Sequence, residues 1–121
     1  MMDESQLLLS GIRVLDVATF IAGPAAATVL GDFGAEVIKV EAPDGDPHRV
    51  LGQAHSIPQH PVNFCWHMDS RNKKSIALDL KKPEGRGVLL RLIEKTDVLI
   101  TNFPPAVRAR LYLSAGRGRR R

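Results

Sequence analysis

Lys81, Asn102 and Arg110, with the small pair Ala22 and Gly23, are the residues of this chain whose types and positions best suit ligand chemistry. Lysine is a movable point charge, whereas arginine can grip a phosphate through two parallel hydrogen bonds or stack on a planar base. Ala22 and Gly23 stand at the expected start of a helix, where free N–H groups and the helix dipole favour a phosphate or a carboxylate. Each feature alone has an ordinary reading, as a solvated surface charge or as a plain tight turn between strand and helix. Gathered along one sheet edge, they would make a binding edge for a nucleotide-like ligand.

Other chemistries find little support. The first turn lacks the glycine triplet of dinucleotide-binding folds, and no glycine-rich Walker loop occurs, which argues against NAD and ATP. Asp16, Asp44 and Asp46 do not have the convergent spacing of an oxygen-ligand metal site. His48, His55, His60 and His67 fall in an irregular stretch without metal-ligand spacing, so no metal is expected. Cys65 is the sole cysteine, which excludes an intrachain disulfide, agrees with a reducing compartment and reads as a small, partly buried apolar residue.

The elements that must bring the ligand residues together follow from alternating apolar runs and helical stretches. Ile12 to Val17 reads as a first strand buried on both faces. Pro24 suits the first position of a helix carrying Val29, Leu30 and Phe33, and Gly34 ends it. Glu36 to Val40 is a second strand, completing a βαβ unit. Residues 42–69 carry Pro43, Pro47, Pro58 and Pro61 and read as a surface excursion, in which Phe64, Trp66 and Met68 form an apolar lid or, alternatively, a short strand. Ser75 to Leu80 is a third strand, and a helix from Lys82 to about Lys95 turns Val88, Leu89, Leu92 and Ile93 to one face. Val98 to Thr101 is a fourth strand, followed by a turn at Asn102 to Pro105 and a helix from Ala106 to about Leu111. In an open parallel sheet the ligand crevice lies beyond the carboxyl ends of the strands, here after Val17, Leu78 and Thr101.

Composition bounds the rest. An apolar content of 44% over 121 residues supports one modest core, hence one domain. The net charge of +4 invites a nucleic-acid reading, but Arg117, Arg119, Arg120 and Arg121 carry all of it. Residues 112–121 are therefore expected to be a disordered basic tail, and no nucleic-acid partner is expected. No apolar run of roughly 18 residues exists and the first residues are acidic and polar, so neither a membrane span nor a secretion signal is expected and the location is expected to be cytoplasmic.

Four segments in order, Val14 to Glu41, Gly45 to Pro47, Arg71 to Gly85 and Asp97 to Leu111, closely resemble the amino-terminal part of class III CoA-transferases. This group includes formyl-CoA and carnitine CoA-transferases and the α-methylacyl-CoA racemases. The resemblance implies an α/β fold, a Rossmann-like parallel sheet of about four strands with flanking helices, incomplete relative to the family, with residues 1–111 as the coenzyme A-binding segment. It also implies an acyl-CoA and a carboxylic acid as reactants, interlocked homodimers, and CoA contacts at Ile21, Ala22, Leu78, Asp79, Leu80, Lys81, Asn102, Phe103, Pro104 and Arg110. The family's acyl transfer runs through a nucleophilic aspartate, which splits one difficult step into two easier ones. That aspartate is expected beyond Arg121, so no residue here inherits the catalytic role, and the change of composition after Leu111 suggests a truncated or out-of-frame ending. The chain departs from the family's habits at Ala42, where members often place an arginine for the adenine end of CoA, and at Phe20 and Ile21, where a polar or basic pair can stand. A racemase-type acyl-CoA enzyme and an inert fragment are the alternative readings.

Overall fold

A computed structural model describes residues 3–111 and Leu113. At its centre β1 (Arg13–Asp16) pairs in parallel with β2 (Glu36–Glu41) on one side and β4 (Val98–Ile100) on the other, and β3 (Lys73–Ala77) pairs in parallel with β2. The strand order is β3-β2-β1-β4, so the expected four-stranded parallel sheet is present. Its sense of winding reverses between β1 and β4, the point where ligands enter open sheets of this kind.

Side-chain alternation along the strands divides the interior into two layers. Val14 and Val37 face α1 (Ala22–Asp32) and pack with Ala27 and Ala35. Leu15, Val17 and Val40 face the opposite way, onto Leu89 of α4 (Pro83–Glu94), with Ile38, Ile76, Leu92 and Leu99 filling in around them. Burying one such side chain is worth about 1.5–3 kcal/mol, so these layers hold the sheet between its helices. Gly34, at φ 104, ends α1 where expected, since a side chain there would be strained and its Cβ would run into Leu7.

Three differences from the expected elements have physical causes. Phe64, Trp66 and Met68 belong to neither a lid nor a strand but to a helix, α3 (Phe64–Ser70), capped by the Asn63 side chain, which accepts from the Trp66 N–H. Cys65 and Asp69 point inward from it, while Phe64 and Met68 are exposed. A four-residue helix, α2 (His48–Leu51), also interrupts the long excursion. The third strand starts and ends earlier than expected, because Lys73 is part of it with a buried ammonium.

The last helix, α5 (Pro105–Arg110), lies close to its expected place. Most of the expected basic tail lies outside the described residues. Leu113, however, is buried in the same cluster as Leu89, so the folded segment reaches beyond Leu111. Among the described residues no helix is long and apolar enough to cross a membrane, and no cluster of three or more metal-ligating side chains occurs.

Candidate functional site

Above the carboxyl ends of the strands lies a cavity of about 500 Å³. Its walls come from four separate segments. Thr19 follows β1, Val40 to Ala42 and Gly45 to Pro47 surround the end of β2, Leu78 to Lys81 follow β3, and Phe103, Val107, Arg110 and Leu111 follow β4. Arg86, from the first turn of α4, completes it. Of the expected ligand residues, Leu78, Asp79, Leu80, Lys81, Phe103 and Arg110 are brought together here. Ile21, Ala22, Asn102 and Pro104 do not line the cavity. Ile21 and Ala22 are exposed at the head of α1, and Asn102 lies behind the turn after β1.

The cavity combines an apolar lining with unmatched positive charge. Val40, Leu78, Leu80, Phe103, Val107 and Leu111 supply the apolar part. Among the described residues the Lys81 ammonium and the Arg110 guanidinium make no ion pair, and Arg86 donates only to the neutral carbonyls of Leu80 (3.2 Å) and Lys81 (2.9 Å). Arg86 is a cavity residue outside the expected ligand set. An arginine one turn into a helix that follows a strand end was the signal available. Of the three carboxylates in the walls, Asp79 accepts from the Lys81 backbone N–H with the Lys82 ammonium 3.9 Å away, and Asp46 and Glu41 are committed to Lys39 and Arg49.

Those commitments form a buried polar layer beneath the cavity. On the α1 face of the sheet Asp16 stands opposite Lys39 in register, and both are fully buried. The Lys39 ammonium lies 2.9 Å from Asp46 and 3.6 Å from Asp16 and donates to the Ala18 carbonyl at 3.1 Å. Lys73 donates to the same Asp16 oxygen at 2.9 Å and to the Pro24 and Asp69 carbonyls. Burial pushes the Lys73 ammonium below its ordinary value, with Asp16 pulling it back up. His48, buried between α2 and α3, shares its Nε2 with Asp69 and the Cys65 carbonyl, both at 3.1 Å.

Glu41 anchors the loop after β2. Arg49 grips it with two hydrogen bonds of 2.6 and 2.7 Å and stacks its own guanidinium 4.0 Å from the centre of the Trp66 ring. Hydrogen bonds from Arg49 above all, with Ser75 and the Asp46 N–H, hold the Glu41 carboxyl down at about 2 against the upward push of burial. Because its folded value lies below the unfolded 4.5, Glu41 adds stability that is complete above about pH 4.5 and is lost as pH falls towards 2. Glu41→Gln should therefore remove up to about 3 kcal/mol at neutral pH and flatten the acid limb, as urea titrations between pH 2 and 7 would measure. Equal acid dependence in the variant would show the pair to be idle.

An apolar lining set with cations above the winding reversal of a parallel sheet defines a Rossmann-like α/β unit with a ligand crevice at its carboxyl edge. The chain belongs to CoA-transferase family III, whose profile matches residues 9–121. It is 50% identical over 103 residues to the alpha subunit of succinyl-CoA–L-malate CoA-transferase from Chloroflexus aurantiacus, covering 84% of this chain and 24% of that protein. It is 45% identical over 104 residues to formyl-CoA:oxalate CoA-transferase from Bradyrhizobium diazoefficiens, covering 85% of this chain and 24% of that one. A CaiB/BaiF family protein from Brucella suis superposes with a TM-score of 0.78 at 33% identity, over 89% of this chain and 29% of that structure. The chain thus spans about a quarter of the length of the curated relatives it matches.

Proposed function

We propose that this chain carries the coenzyme A-binding edge of a CoA-transferase, an enzyme that moves CoA between carboxylic acids by way of an acyl-CoA. The observation behind this reading is the cavity at the strand ends, where Lys81 and Arg110, without an ion pair among the described residues, stand beside an apolar lining. Coenzyme A asks for both, since its phosphates seek cations and its adenine and pantetheine arm seek apolar contact. Arg110 and Lys81 would meet the phosphates, and Leu78, Leu80, Phe103 and Val107 the uncharged parts. Ile21, Ala22, Asn102 and Pro104 border this edge, and backbone groups of the first two stand at the start of α1, ready for the same ligand.

The aspartates under the cavity take no part in acyl transfer in this reading. Asp16, Asp46 and Asp69 are buried and held by lysine or histidine, so none of these three is a free carboxylate that could attack a thioester. The reactive carboxylate, the carboxylic acid partner, any second subunit and a cytoplasmic setting belong to the whole enzyme of this family.

Calorimetric titration of the 121-residue chain with CoA should give a saturable heat, and Arg110→Ala and Lys81→Ala should each weaken binding by about tenfold. Neither residue supports the core, so circular dichroism should be unchanged in both variants. No heat at millimolar CoA, or full affinity in both variants, would overturn the assignment.

A further inference from the structure

The turn after β1 is held in an unusual way. Three successive residues have their backbone polar groups taken by side chains from three other places in the chain. The Ala18 carbonyl accepts from the Lys39 ammonium at 3.1 Å. Thr19 is bonded twice to the Asn102 amide, its N–H donating to Oδ1 at 3.0 Å and its carbonyl accepting from Nδ2 at 2.8 Å. The Phe20 N–H donates to Asp46 Oδ1 at 3.3 Å, and the other Asp46 oxygen is bound by Lys39.

Phe20 itself sits at φ 61, a backbone shape that a bulky residue adopts only when its surroundings impose it. Its ring does not supply the reason, because it is 47% exposed. The force comes from the backbone bonds on either side. An isolated asparagine at a strand end would be a candidate ligand contact, yet here the Asn102 amide oxygen and nitrogen each make a hydrogen bond to Thr19, which fixes the side chain against the turn.

We infer that Asn102, Lys39 and Asp46 are positioning residues that clamp the backbone of Ala18 to Phe20 into one strained shape, and that Asn102 acts on the ligand through this turn rather than by touching it. The clamp joins β1, β2 and β4 at the point where the cavity opens, and Thr19 is both its centre and part of the cavity wall. Released, the turn would relax toward negative φ at Phe20, moving Thr19 and the head of α1 together. The effect on binding rests on the reading of the cavity as the CoA site, whereas the clamp itself can be measured without any ligand.

Amide hydrogen exchange of the ligand-free 121-residue chain, followed by NMR, separates the two. In Asn102→Ala the Thr19 amide should exchange about tenfold faster while Leu15 in β1 keeps its protection, and CoA affinity should fall by a similar factor. Asn102→Asp replaces the Nδ2 donor by an oxygen that would face the Thr19 carbonyl, so Thr19 exchange should again be faster and CoA affinity lower than in the parent, and this variant carries the test if the alanine variant fails to fold. Loss of affinity with Thr19 exchange unchanged would mean that Asn102 touches the ligand directly and would overturn the inference. Faster exchange with undiminished affinity would overturn it too, by showing that turn shape is irrelevant to binding. If the parent chain binds no CoA, the functional assignment falls, while the exchange rates still decide whether Asn102 holds the turn.

Discussion

Replacing Lys39 by methionine is expected to cost about 3–5 kcal/mol, a large share of the roughly 5–15 kcal/mol that holds a domain folded. Methionine matches the length of the lysine stem and would fill its space, so packing is nearly conserved. What is lost is the ammonium between Asp46 at 2.9 Å and Asp16 at 3.6 Å, both buried. Asp16 keeps Lys73, but Asp46 would be left with backbone donors alone, and its own partners Phe20 and His48 sit in the turn after β1 and at the start of α2. A buried carboxylate without its cation either stays charged at great cost or takes up a proton. Urea unfolding at neutral pH would read the loss directly. A variant within about 1 kcal/mol of the parent would mean the charges are solvated and the buried layer is not a structural element.

Gly85→Ala carries the second large effect, and its sign runs against helix propensity. Gly85 lies in the first turn of α4, where alanine would ordinarily stabilise by about 1 kcal/mol. Here an added Cβ would run into the carbonyl group of Asp79, backbone that cannot rotate out of the way. The first turn of α4 must move away from the segment Asp79 to Lys81, or that segment must shift into the cavity it borders. Either response should cost about 1–3 kcal/mol and lower CoA affinity by tenfold or more. Thermal melts and calorimetry on the same preparation would test both. A more stable variant with intact binding would show that the close approach is not needed.

Much of this arrangement was legible from residue order. Gly34 marked the end of α1 because it does there what no other residue does as well, and the paired apolar runs of β1 and β2 announced a buried parallel sheet. Lys81 and Arg110 could be placed on one edge once the strands were known to be parallel, whereas Leu78 to Leu80 and Phe103 came with the family resemblance. What stayed hidden is the buried charge. Lys39, Lys73, Asp46 and Asp69 have the composition of surface, and only the three-dimensional pairing shows them to be interior. The same disguise concealed α3, whose inward face is one cysteine and one aspartate while Phe64 and Met68 look outward. Asn102 was found for its position, but its duty to Thr19 could not be read from spacing across 83 residues of chain.

The neighbours β1 and β4 are also distant in the chain: Leu15 stands beside Leu99, and Arg13 bonds to Asp97 across a separation of 84 residues. Closing a loop of that size from an unfolded chain costs roughly 1 kcal/mol more than bringing β1 to β2, whose bonded pair Arg13 and Glu36 is 23 apart. The kinetic order this favours has β1, β2 and β3 associating early and β4 docking late. Phe103, Val107 and Arg110 arrive with that last strand, so the ligand crevice is completed only at the end of folding, and a bound nucleotide would chiefly slow the first step of unfolding.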